Sequence, residues 1–161
     1  MWGSIVEEDR VYDLSGKYEL LMDEIPCSVD VPPVDYPLSM QLPGTTAQQK
    51  LGTYNESRES GFFTEKYPFA GQIWLRRVIT LSREQAGKKH CFLTLERTRV
   101  TEVWINGEKI GSENSLCTPH VYDLSRHLAE RRTGAFAHRK IRGHQIHPGL
   151  LLHGFLELSY V

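Results

Sequence analysis

The chain has 161 residues, of which 40% are hydrophobic and 24% are charged, as in an ordinary globular domain with a buried core. The net charge is −1, so charge gives no indication of a nucleic-acid or membrane partner. No apolar run approaches the ~20 residues of a membrane helix, and the N-terminus lacks the basic start and apolar stretch of a secretory signal. We expect one soluble domain spanning residues 1–161 and leave its localisation open.

The three cysteines are an odd number, and no pair has C-x-x-C spacing. They therefore do not indicate a disulfide framework, a zinc site or a redox motif. Cys91 lies in an alternating apolar run and is expected to be a small buried hydrophobe. We predict no cofactor and no metal for this chain.

The first half of the chain predicts one strand followed by long irregular connections. Leu14–Asp23 has the pattern of a turn leading into a half-buried strand. The five prolines of Pro26–Pro43 exclude helix and central strand, which favours an extended surface connection. Leu42–Pro68 is polar and rich in glycine, as in a long loop. Its second half is aromatic, with Phe62, Phe63, Tyr67 and the following Phe69. These rings either pin the loop to the core or form a platform on which a sugar could stack.

The strand pattern is clearest after Gly71. Ile73, Leu75, Ile79 and Leu81 fall on one face together with Arg77, whereas Trp74 falls on the other. An arginine among apolar neighbours needs a partner, because an unpaired buried charge costs several kcal/mol. We expect Arg77 to be structural, paired with a carboxylate or with backbone carbonyls, rather than in contact with a substrate.

A hairpin is predicted where Val100–Ile105 and Glu108–Ile110 flank Asn106 and Gly107. Asn-Gly favours the type I′ turn, in which both central residues have positive φ, so both are interpreted as structural turn residues. Cys91–Glu96 predicts a further strand, and Tyr122–Leu128 begins a short helical turn. Several short strands separated by turn signals predict an all-β sandwich.

Several motifs in this order resemble one known family. They are Leu14-Ser15-Gly16, Leu42-Pro43-Gly44-Thr45-Thr46, Ala70-Gly71-Gln72-Ile73-Trp74-Leu75-Arg76-Arg77, Val103-Trp104-Ile105-Asn106-Gly107 and Thr118-Pro119-His120-Val121-Tyr122-Asp123-Leu124. The set is similar to the N-terminal sugar-binding domain of glycoside hydrolase family 2, which includes β-galactosidases, β-mannosidases and β-glucuronidases. The resemblance covers residues 14–128. It implies a galactose-binding-like jelly roll of two antiparallel sheets, with catalysis in a separate barrel of the parent enzyme.

The resemblance breaks after Leu128. The family continues with a strand of alternating apolar residues, but Ala129–Pro148 is basic and lacks that alternation. Residues 129–153 are interpreted as an atypical tail, either divergent or frame-shifted, in a chain that is a fragment of a longer enzyme. If the segment is foreign or frame-shifted, we expect one sheet to lack a strand there; in a divergent family member the segment would be a genuine strand. The closing Gly154–Val161 again resembles a family strand.

Other chemical patterns are weak. Glu96 and Glu102 could approach each other as a glycosidase pair needs, although surface ion pairs explain them better. His144 and His147 have possible metal-ligand spacing but no third ligand. The basic run Arg131–Arg142 belongs to no nucleic-acid recognition motif. No catalytic residue is predicted.

The resemblance implies a non-catalytic accessory domain, whose partners are carbohydrate and the catalytic barrel and immunoglobulin-like domains of the parent enzyme, with no nucleic acid and no membrane. The alternative is a free-standing lectin-like module. Its weak candidates for carbohydrate contact are Phe62, Tyr67 and Trp104. Exposure separates the two functions, because a stacking platform needs an open ring face.

Overall fold

The computed structural model of the protein describes residues 10–24, 31–56, 66–80, 90–96, 98–115, 117–129, 133–140 and 156–160. The strands are β1 (Arg10–Asp13), β2 (Gly16–Asp23), β3 (Leu38–Leu42), β4 (Gln72–Thr80), β5 (Cys91–Leu95), β6 (Val100–Ile105), β7 (Glu108–Asn114), β8 (His120–Asp123), β9 (Thr133–Lys140) and β10 (Leu156–Tyr160), and the described residues contain one short helix, α1 (Ser125–Ala129). None of the described residues belongs to a helix long and apolar enough to cross a membrane.

The strands form two antiparallel sheets. The smaller has the order β1-β10-β5-β8, and the larger has the order β3-β2-β4-β9-β6-β7. Every described pairing between neighbouring strands is antiparallel. The protein is therefore an all-β sandwich of two antiparallel sheets, which confirms the predicted fold class.

The core follows from the alternation of side chains along the strands. In β2, Tyr18 and Leu20 are buried whereas Lys17 and Glu19 are exposed. One apolar cluster joins the two sheets through Leu14, Ile79, Cys91, Leu93, Leu95, Val103, Ile105, Tyr122 and Leu124. Cys91 is 3% exposed and free, as expected for a small buried hydrophobe.

A second cluster lies on the β3-β2-β4 side of the larger sheet. Its members are Tyr18, Leu20, Met40, Leu42, Ile73 and Leu75. Leu51 and Phe69 pack against it from the long connection between β3 and β4. Phe69 therefore helps to pin that loop to the core, which is one of the two roles predicted for the loop aromatics.

Two boundaries differ from the sequence prediction. The proline-rich connection ends at Leu38 rather than Pro43, because Leu38–Leu42 forms β3. Among the described strands, β3 pairs with β2 alone and lies at the edge of its sheet. Prolines beside a strand are tolerated at a sheet edge. The second strand of the hairpin also extends to Asn114 rather than Ile110.

The strand expected to be missing from a foreign or frame-shifted tail is present, as the alternative of a divergent segment predicted. β9 lies inside the larger sheet, where it pairs with β4 along Ile73–Thr80 and with β6 along Glu102–Ile105. Backbone groups make these ladders, so a segment with weak apolar alternation still completes a sheet between two strands that need a partner. β10 pairs with β1 and β5, in agreement with the resemblance at the C-terminus. Residues 141–155 lie outside the described residues.

Candidate functional site

Trp74 and Trp104 contact each other on the outer face of the larger sheet. Trp74 lies between Ile73 and Leu75, which point into the sandwich, so its own side chain points outward. Trp104 packs against it with ring centroids 5.1 Å apart and an interplanar angle of 42°. Although both rings are on an outer face, they are only 4% and 1% exposed. The outer face therefore carries a small apolar cluster of its own.

This outer cluster is covered by side chains from the proline-rich connection and neighbouring strands. Tyr36 and Leu21 pack against the two tryptophans. The Nζ of Lys109 lies 5.4 Å from the centroid of the Trp104 ring. The burial of Trp104 leaves no open ring face, and this argues against Trp104 as a sugar-stacking residue.

Arg76 contacts the part of the proline-rich connection that packs on the two tryptophans. Its guanidinium carbon lies 4.3 Å from the centroid of the Tyr36 ring, and its Nη1 donates to the Val34 carbonyl at 3.3 Å. The same guanidinium forms an ion pair with Glu19, which lowers the pKa of Glu19 through the hydrogen bond. Burial raises the pKa of Tyr36 to about 12. The sequence offered one signal for this role of Tyr36, a single aromatic within the proline-rich segment.

Arg77 faces the opposite way from Arg76. It shares its face with Ile73, Leu75 and Ile79 and is half-buried. Its Nη1 donates to the carbonyl oxygens of Leu14 and Ser15, the latter at 2.9 Å. Backbone carbonyls were one of the two kinds of partner expected for this arginine. The contact holds the turn before β2 against β4, so the structure places Arg77 at a structural junction.

Asn106 and Gly107 form the two-residue turn between β6 and β7. Their φ angles are 51° and 86°, as the type I′ turn requires. Both residues are exposed at the tip of the hairpin. Lys109, just beyond the turn, donates to Glu102 Oε1 across the hairpin at 2.9 Å.

The remaining carbohydrate candidates belong to a different cluster. Tyr67 is half-buried, and its ring packs on Tyr54 with centroids 5.5 Å apart and an interplanar angle of 56°. Tyr54 was not singled out from the sequence, because it stands alone in a polar stretch. Phe62 and Phe63 lie outside the described residues. The structure therefore separates Tyr67, which contacts Tyr54, from Trp104, which contacts Trp74.

A buried polar network was also missed. The His120 side chain is 1% exposed, and its Nδ1 lies within hydrogen-bond distance of Thr101 Oγ1 and of Thr98 Oγ1, the latter at 3.2 Å. Its Nε2 lies 2.9 Å from the Ser115 carbonyl oxygen, so both ring nitrogens have partners. Tyr122 extends the network through Thr101, 2.6 Å from its hydroxyl. The buried polar atoms of this network have hydrogen-bond partners. The network connects Ser115, which follows β7, to β6 and β8.

Glu102 is the one of the two carboxylates considered as a glycosidase pair for which the structure shows an ion pair. Its Oε1 lies 2.9 Å from the Nζ of Lys109, and the Glu102 side chain is only 12% exposed, so this is a partly buried ion pair rather than the surface pair expected. No group of three or more His, Cys, Asp or Glu residues among the described residues could hold a metal ion. His144 and His147 lie outside the described residues.

Comparisons with known proteins place the fold. No family model matches the chain, and no curated protein matches it either. Solved structures do match: a β-glucuronidase from Faecalibacterium prausnitzii is 19% identical with a TM-score of 0.64, over 88% of this chain and 22% of that one. A Bacteroides uniformis β-glucuronidase 2 variant is 19% identical with a TM-score of 0.68, over 96% of this chain and 18% of that one.

A Ruminococcus gnavus β-glucuronidase in complex with N1-substituted uronic isofagomine gives the same result. It is 17% identical with a TM-score of 0.65, over 88% of this chain and 24% of that one. The chain thus spans no more than about a quarter of the length of these β-glucuronidases. At this identity the likeness shows a shared β-sandwich fold.

Proposed function

We propose that the chain is a non-catalytic accessory β-sandwich domain of a glycoside hydrolase family 2 enzyme. The observation that carries the proposal is the match in fold over 88% and 96% of this chain to 22% and 18% of two β-glucuronidase chains. A domain that occupies such a share of a glycosidase leaves most of that enzyme to other domains. The ordered motifs from Leu14 to Leu124 support the same family on independent grounds.

In this proposal the parent enzyme hydrolyses O-glycosidic bonds. Because the similar solved structures are β-glucuronidases, a β-glucuronide is the substrate that we propose first. Hydrolysis needs two carboxylates flanking the scissile bond. Glu102 is one of the two carboxylates considered for this role, and its ion pair with Lys109 favours a structural role instead. The chain then packs against the catalytic barrel and immunoglobulin-like domains and shapes the entrance for the sugar.

Hydrolysis assays test the non-catalytic part of the proposal. The purified chain is incubated with nitrophenyl β-glucuronide, β-galactoside and β-mannoside, alongside a heat-denatured control. We expect release of nitrophenol to equal that of the control. Release above the control that survives repurification would refute a non-catalytic domain.

The DNA that flanks the coding region tests the accessory part. We expect a downstream frame that encodes a barrel with a catalytic carboxylate pair. Co-expression of the two polypeptides should then yield a complex that co-purifies. Flanking DNA with no such frame would contradict the accessory role.

A free-standing lectin-like module is the second candidate function. Exposure of Tyr54 beside Tyr67 favours it, whereas burial of Trp104 counts against one of its predicted contacts. Sugar binding by the isolated chain, together with flanking DNA that lacks a barrel frame, would establish this second function over the first.

A further inference from the structure

The loop between β3 and β4 has a firmly built base. The side-chain amide of Gln49 bridges both backbone groups of Gln41 in β3, with distances of 2.7 and 2.8 Å. The Leu51 N–H donates to the Thr46 carbonyl at 2.8 Å, and Phe69 packs on the core. These contacts attach both ends of the loop to the larger sheet.

The two described segments of this loop, residues 52–56 and 66–68, lie side by side. The Asn55 N–H donates to the Lys66 carbonyl at 2.8 Å. Gly52 has a φ of 110°, and a Cβ at that position would lie 3.0 Å from the Pro68 carbonyl oxygen. Such a close approach of two backbones is possible because this position is glycine. Tyr54 and Tyr67 therefore lie on two adjacent segments that are joined by a backbone hydrogen bond.

The two rings form an open aromatic corner. Their centroids are 5.5 Å apart and their planes are inclined by 56°, so the faces diverge instead of covering each other. Tyr54 is 54% exposed. It is the only Phe, Trp or Tyr classed as exposed among residues whose burial the structure describes. A pair with one exposed ring and one half-buried ring differs from the tryptophan pair, in which both rings are buried.

We propose that Tyr54 and Tyr67 form a carbohydrate-binding corner that takes a pyranoside. The apolar C–H face of the sugar ring stacks on Tyr54, and Tyr67 supplies the inclined second wall. Asn55, Glu56 and Lys66 border the two tyrosines in the chain, and both Glu56 and Lys66 are exposed, which places hydrogen-bonding groups around an apolar platform. The choice of a sugar as the ligand rests on the proposed function.

Nuclear magnetic resonance titration tests the corner directly. The full ¹⁵N-labelled chain is titrated with methyl β-D-glucuronide, methyl β-D-galactoside or methyl β-D-mannoside into the millimolar range. We expect saturable shifts of the amides of Asn55, Lys66 and Tyr67 with at least one of the three. Tyr54→Ala should weaken that binding about tenfold, since it removes the stacking surface, whereas Tyr54→Phe should retain it.

Val121→Ala is the matched control, because Val121 is 53% exposed but belongs to β8 of the smaller sheet. It should leave the binding constant unchanged, and the melting temperature of each variant verifies folding. No saturable shift with any of the three sugars would overturn the proposal, as would equal binding by the wild type and a folded Tyr54→Ala variant. Either failure leaves the hydrolysis and flanking-DNA results untouched, so the corner and the proposed function fail independently.

Discussion

Replacement of Arg77 by leucine tests how strongly the turn before β2 depends on one side chain. The substitution removes the Nη1 donor shared by the carbonyl oxygens of Leu14 and Ser15. Hydrogen bonds to charged groups contribute about 1.5–3 kcal/mol each. The Leu14 carbonyl keeps a bond from the Tyr18 hydroxyl at 2.8 Å, and Arg77 is only half-buried. We therefore expect a loss of about 2–4 kcal/mol, near the lower end of the sum of two such bonds.

Urea unfolding at 25 °C and thermal melting measure this loss. In a domain of this size, 1 kcal/mol corresponds to about 2–4 °C, so Arg77→Leu should lower the melting temperature by roughly 4–16 °C. The neighbouring Arg76→Leu is the matched control on the same strand. Its guanidinium pairs with Glu19 at the surface, where exposed pairs contribute about 0–1 kcal/mol, and its contact with the Tyr36 ring adds about 0.5–1 kcal/mol. Arg76→Leu should therefore cost less than Arg77→Leu.

Arg77→Lys should recover part of the loss, because an ammonium keeps the charge but has a shorter reach and no planar fork. A change within one degree for Arg77→Leu would contradict the reasoning. A loss of stability for Arg77→Leu no larger than that for Arg76→Leu would also contradict it, since the two arginines would then contribute equally to stability.

Four other measurements probe the hairpin, the cysteines and the tail. Gly107→Ala should cost about 1–2 kcal/mol in urea unfolding because φ is positive, although an added Cβ meets nothing within 4 Å. Burial raises the pKa of Cys91 from 9.0 to about 12, so the folded state holds that proton more tightly and stability should fall as pH rises from 9 towards 12. Iodoacetamide near neutral pH should modify exposed Cys117 and spare Cys91 until unfolding. Amides of Thr133–Lys140 should exchange as slowly as those of Gln72–Thr80, and uniformly fast exchange would contradict the central position of β9.

The sequence was most informative where local chemistry decides the structure. Asn106 and Gly107 specify a turn through their tolerance of positive φ, and the hairpin around them is present. The alternation in β4 likewise placed Arg77 on the inner face with Ile73 and Leu75. In both cases the pattern within a few residues determines the outcome, because turn geometry and strand periodicity are local properties.

The candidate site was less predictable, because it depends on contacts between distant segments. Trp104 is an aromatic residue that could stack on a sugar, but it is buried in a cluster against which Tyr36, a residue far away in the sequence, packs. Tyr54 and Tyr67 meet only because the Asn55–Lys66 bond joins two segments on either side of residues 57–65. Neither contact is indicated by a repeating pattern in the sequence, so the exposure of these rings could be determined only from the folded structure.

The tail shows why apolar alternation underestimates a central strand. A strand at the edge of a sheet needs a buried face to hold it, since one side of its backbone has no partner. β9 instead has a neighbour on each side, so its backbone is paired along both β4 and β6. Without it, those two strands would each present an unpaired edge within the larger sheet, at a cost in unsatisfied backbone groups. The demand for a strand between β4 and β6 therefore comes from the rest of the fold, and a segment of modest β propensity satisfies it.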